Sequence, residues 1–87
     1  MSKYSVEIIQ KAQKEYLKLP ESVKRRIREL ILSLETEQRP VGAKKLRETD
    51  YYRIRSGDYR IVYSIDDKAR LIKVLSIGHR KEIYRSL

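Results

Sequence analysis

Three arginines, Arg53, Arg55 and Arg60, have the type and spacing from which phosphate chemistry can be built. They lie in the run Tyr52-Arg53-Ile54-Arg55-Ser56-Gly57-Asp58-Tyr59-Arg60-Ile61-Val62-Tyr63, two alternating stretches around Gly57-Asp58, a pair that suits a two-residue type II′ hairpin turn. Such a hairpin pairs Ser56 with Tyr59, Arg55 with Arg60, Ile54 with Ile61, Arg53 with Val62 and Tyr52 with Tyr63. Alternation then puts Tyr52, Ile54, Ile61 and Tyr63 on one face. The three arginines share the other, with no carboxylate among them. Like charges directly opposite one another destabilise a sheet by roughly 0.2–1 kcal/mol per pair. An anion on that face relieves the repulsion, and guanidinium forks match phosphate oxygens better than an ammonium does. The expectation is a phosphate-binding sheet; the competing reading is the solvated side of a half-buried one.

The elements that must position this hairpin can be read outward from it. Tyr4 to Ile9 alternates loosely and predicts a first strand. A first helix is expected over Gln10 to Leu19, with Ala12, Tyr16 and Leu19 buried. Pro20 breaks it and suits the first turn of a second helix, where Glu21 complements the helix dipole. In that helix Val23, Ile27, Leu30, Ile31 and Leu34 form one apolar stripe, while Lys24, Arg25 and Arg28 lie outside it. Pro40 and Gly42 punctuate the end, and Lys44, Lys45 and Arg47 lead into the hairpin. Asp66-Asp67 turns the chain into a last strand, Arg70 to Ile77, whose Leu71, Ile72, Val74 and Leu75 are apolar on both faces as a central strand requires. Gly78 closes it before a short basic tail. The predicted class is α+β in β-α-α-β-β-β order, two N-terminal helices on one face of a mostly antiparallel four-stranded sheet, with a short C-terminal tail.

Composition narrows the partners. Eighty-seven residues make one domain, 1–87, and 21 Lys and Arg against 12 Asp and Glu give +9, which favours nucleic acid or an acidic protein. No apolar run approaches the roughly 18–20 residues of a membrane span, so a soluble, cytoplasmic protein without a membrane partner is expected. With no cysteine and one histidine, no metal site or other cofactor is expected.

The blocks Lys44-Lys45-Leu46-Arg47, the run from Tyr52 to Tyr63, and Gly78-His79-Arg80-Lys81-Glu82-Ile83-Tyr84-Arg85 together resemble RelE-type toxins of the RelE/ParE superfamily. The resemblance implies the toxin of a type II toxin–antitoxin pair, a metal-independent endoribonuclease (mRNA interferase) that cleaves messenger RNA in the ribosomal A site and so inhibits translation. It further implies attack of a ribose 2′-hydroxyl on the neighbouring phosphate. Matched position by position, the family's catalytic residues fall on Arg53, Arg55, Arg60, Arg80 and Tyr84. Lys44, Lys45, Arg47, His79, Lys81 and Arg85 fall in the same blocks as RNA- or ribosome-binding candidates. The implied partners are a RelB-type antitoxin, the 16S rRNA of the A site, and messenger RNA. The alternative within the superfamily is a ParE-like inhibitor of DNA gyrase that acts by binding alone.

Two departures bear on mechanism. Several family members have lysine where this chain has Arg53 and Arg55, and arginine, unlike lysine, does not give up its proton. A general base must then come from Tyr84, His79 or the ribosome; for His79 a structural or solvated role is the competing reading. Glu48 stands where the family commonly has glycine.

Overall fold

The computed structural model describes residues 3–79, so Arg80, Lys81, Tyr84 and Arg85 lie outside the described residues. The first strand, β1 (Ser5–Ile8), passes through an extended Ile9 into helix α1 (Gln10–Leu17), where Gln13 Nε2 donates to the Ile8 carbonyl at 2.7 Å. The helix stops two residues short of the expected Leu19. Lys18 and Leu19 instead make tight bonds to the carbonyls of Glu15 and Tyr16, because Leu19 precedes a proline and that position disfavours helical backbone. Pro20 is not inside the second helix but caps it in extended conformation, and its carbonyl accepts the Lys24 N–H at 2.9 Å. Glu21 then opens α2 (Glu21–Ser33) as the one acid of its first turn.

Beyond α2 come β2 (Lys44–Lys45), β3 (Tyr51–Ser56), β4 (Tyr59–Asp66) and β5 (Leu71–His79). With β1 they form, among the described residues, one sheet of five strands in the order β1-β5-β4-β3-β2, one strand more than expected. The additional strand is β2, whose two lysines pair with Arg53 and Tyr52. Two residues of one type carry no alternation from which a strand can be read. β1 runs parallel to β5, with Ser5 opposite Leu71 and Ile8 opposite Val74, while every other pairing is antiparallel. Apolar on both faces, β5 sits inside the sheet as anticipated, and it extends past Gly78 to His79.

The hairpin holds the register read from the sequence, pair for pair from Tyr52 opposite Tyr63 to Ser56 opposite Tyr59. Gly57 has φ +61 and Asp58 does not enter the left-handed region, the signature of a II′ turn. Behind it, Ile54, Ile61 and Tyr63 are buried against Val23, Ile27, Ile31 and Leu34 of the α2 stripe, joined by Ala12 and by Ile72, Val74 and Ile77 of β5. Truncating a side chain in this seam, as in Ile27→Ala, costs about 2–5 kcal/mol. The helices thus fix one face of the hairpin and turn the arginines to the other.

Candidate phosphate-binding site

Register builds the site row by row. Arg55 on β3 lies opposite Arg60 on β4, and Arg60 in turn lies opposite Gly78 on β5. Among the described residues, a side chain at Gly78 would meet nothing within 4 Å. The next row is Lys44, Arg53 and Val62, with Ser76 as the β5 register partner, its hydroxyl turned instead to Lys11 and Glu15 of α1. Lys44 therefore joins the arginine face, whereas Lys45, paired with Tyr52, points to the helix side. Immediately after this row β5 carries an extra residue, since Val62 faces Ser76 but Tyr63 faces Val74. Such bulges bend and twist a strand locally and are common beside binding sites.

The arginine face is less open than alternation alone implies. Val62 is buried, Arg53 and Arg60 are half-buried with the Arg60 Nε withdrawn from solvent, and Arg55 is exposed. What the fold does supply is convergence. Lys44, Arg53, Arg55 and Arg60 all line a single cavity of about 500 Å³, which Leu30 and Ile54 line from the helix side and Pro40, Val41 and Gly42 from the loop after α2. Four cations of which three are planar forks, gathered in a cavity of the size that takes a small ligand, can hold a phosphate through several charge-assisted hydrogen bonds. Sequence reasoning missed Arg26. Its guanidinium lies 3.8 Å from where a Cβ at Gly57 would stand, bringing a further cation from α2 to the hairpin tip. The signal was its position between Val23 and Ile27, on the shoulder of the apolar stripe.

Other expected site residues are held elsewhere. Arg47 is exposed on the loop between β2 and β3, away from the arginine cavity, where Thr49 Oγ1 donates to the Leu46 carbonyl at 2.9 Å and accepts from the Tyr51 N–H at 3.1 Å. Glu48 in that loop has φ +57, the left-handed conformation that glycine adopts without strain. His79 lies opposite Tyr59, on the face that carries Ile61 and Ile77, and meets the Tyr59 ring edge-on at 5.6 Å. It lines a separate cavity of about 370 Å³ with Glu15 and Lys18 of the α1 end. Glu15 secures that side, its carboxylate accepting from the Ser76 hydroxyl at 3.2 Å and from the Ile77 N–H at 3.0 Å.

A second arginine cluster sits at the far end of the hairpin. Arg39 meets Asp67 through Nη2 at 2.9 Å and donates from Nε to the Tyr52 hydroxyl at 3.1 Å, while the Tyr4 hydroxyl donates to Asp67 at 2.7 Å. Tyr52 stacks on Tyr63 at 5.9 Å, and Tyr63 donates to the Gln38 carbonyl at 2.9 Å. Asp67 is held below the usual carboxylate range by the Arg39 guanidinium first and the Tyr4 hydroxyl second. Burial pushes the Tyr63 phenol up to about 12.

Comparison with known proteins accords with this architecture. Residues 6–84 match the family described as the ParE toxin of the type II toxin–antitoxin system parDE. The chain is 33% identical to the mRNA interferase toxin RelE of Escherichia coli over 86 residues, 93% of this chain and 90% of that protein. Among solved structures it is similar to the archaeal RelE–RelB complex from Pyrococcus horikoshii, with TM-score 0.82 and 37% identity over 90% of this chain and 96% of that one. The RelBE2 toxin–antitoxin complex of Mycobacterium tuberculosis gives TM-score 0.82 and 29% identity, covering 92% and 94%. The chain belongs to the RelE/ParE superfamily of type II toxin–antitoxin toxins.

Proposed function

We propose that this toxin is a ribosome-dependent, metal-independent endonuclease of messenger RNA. The observation that carries the reading is the convergence of Lys44, Arg53, Arg55 and Arg60 on one cavity. In the reaction a ribose 2′-hydroxyl gives up its proton and its oxygen attacks the adjacent phosphorus, the bond to the 5′-oxygen breaks, and that oxygen takes up a proton, so that a 2′,3′-cyclic phosphate and a free 5′-hydroxyl result. Negative charge builds on the phosphoryl oxygens as this happens, and fixed guanidinium groups aimed at it supply the electrostatic contribution that often dominates catalysis. Arg53, Arg55 and Arg60 take this role, with Arg80 as a further clamp. None of them serves as base, since an arginine stays protonated. His79, on the Tyr59 face rather than the arginine face, does not support that role either, which leaves Tyr84 or a ribosomal group to take the 2′ proton. Similarity to toxins solved with RelB supports a RelB-type antitoxin as partner.

The family description favours a second reading, a ParE-like toxin that inhibits DNA gyrase by binding. Against it stand the RelE relatives and a phosphate cavity for which a pure protein binder has no use. Mapping transcript 5′ ends in a translation extract separates the two. New ends that appear only when ribosomes are loaded on the message support the nuclease. Absence of cuts under both conditions, with gyrase inhibited, replaces it with the second reading.

A further inference from the structure

The arginine cavity has a wall that phosphate binding leaves unused. Pro40, Val41 and Gly42 lie on its rim with Leu30 of α2. The Ala43 N–H bonds the Pro40 carbonyl at 2.9 Å and Gly42 has φ +98, so residues 40–43 form a type II turn with Val41 at its corner. Val41 is fully exposed at 104% of its reference area. Single exposed aliphatic residues need no explanation, but this one is carried on a stiff turn beside four cations. Arg39, the residue before Pro40, is anchored to Tyr52 and Asp67, so the turn has little freedom to fold Val41 away. Among the described residues, a Cβ at Gly42 would meet nothing within 4 Å, which leaves a bare peptide face next to Val41.

We propose that Val41, with Leu30, Pro40 and the Gly42 backbone, forms a docking wall for a nucleobase of the RNA whose phosphate lies on Arg53, Arg55 and Arg60. This rests on the nuclease reading and names the moiety the site takes beside the phosphate. A ligand that fills both parts of the cavity must be anionic at one end and flat and apolar at the other, and a nucleotide is both. Arginine planes also accept stacked bases, so the boundary between the two walls suits the same ligand.

The test uses the full chain with isotope-labelled Val and Leu methyl groups, titrated with an RNA trinucleotide and with an abasic oligomer carrying the same phosphates. The base-bearing RNA is expected to shift the Val41 and Leu30 methyl resonances and to bind about fivefold or more tightly than the abasic one, as a stacked base typically contributes. Val41→Ala, at an exposed turn corner, leaves the fold unchanged and shrinks that preference severalfold. Equal binding of the two oligomers, a preference untouched by Val41→Ala, or methyl shifts produced by an antitoxin protein and by no RNA would each overturn the proposal. Arg55→Gln keeps the two readings apart. If it weakens both oligomers alike while Val41→Ala changes nothing, the phosphate site stands and the base wall falls; if it weakens neither, both fall.

Discussion

Arg39 and Arg60 are the same side chain used in opposite ways. At the Arg39 end of the hairpin a guanidinium meets the Asp67 carboxylate and a tyrosine hydroxyl, and the cluster ties the residue before β1, β3 and the turn after β4 together. At the other end, register sets Arg60 directly across from Arg55. The first arrangement joins opposite charges; the second sets like charges abreast, a pairwise term that disfavours the strand pairing by roughly 0.2–1 kcal/mol. The sheet thus carries an arginine bound to a carboxylate at one end and two arginines in cross-strand register at the other, and the proposed anion site lies at the second.

Four substitutions sharpen or break that contrast. Arg60→Ala is expected to reduce cleavage in a translating extract by about a hundredfold or more, the scale on which one charge-stabilising group acts, with an unchanged circular dichroism spectrum. Glu48→Gly tests a different strain, the left-handed backbone at Glu48, and should raise unfolding stability in urea by about 1 kcal/mol. Arg55→Ala should impair cleavage yet raise stability by a few tenths to about 1 kcal/mol as the cross-strand repulsion disappears, and a fall in stability would remove the cost assigned to the pair. Asp67→Asn is the smallest, because the pair it breaks is exposed. Since folding lowers the Asp67 pKa, the stability it adds is full above the ordinary carboxylate range and is lost as pH falls through the lowered value. Asp67→Asn should therefore reduce the melting temperature slightly at neutral pH and converge with the wild type in acid.

Much of this was legible in the residues themselves. Gly57-Asp58 fixed the turn, the turn fixed the register, and the register put the arginines on one face opposite the Ile54, Ile61 and Tyr63 seam. The α2 stripe showed itself by spacing alone. Legibility failed where position depends on partners remote in sequence. Asp67 and Arg39 are 28 residues apart and Tyr4 is 63 from Asp67, so nothing in local pattern announces their cluster. The parallel partnership of β1 with β5 is equally non-local. The apolar wall of the cavity went unread because Leu30 looked like core and Pro40-Val41-Gly42 like punctuation. His79 was half legible, since its parity with Ile77 and Tyr59 already set it on the helix side of the strand.

The contrast between the two arginine clusters can be measured directly through salt. Binding of a short single-stranded RNA should weaken with log salt concentration at a slope of about 0.7 per phosphate neutralised. For Arg55→Gln the slope is expected to fall by about that amount, while Arg39→Gln leaves it unchanged. Equal changes for the two variants, or none for Arg55→Gln, would contradict the assignment of the phosphate site to the arginine face.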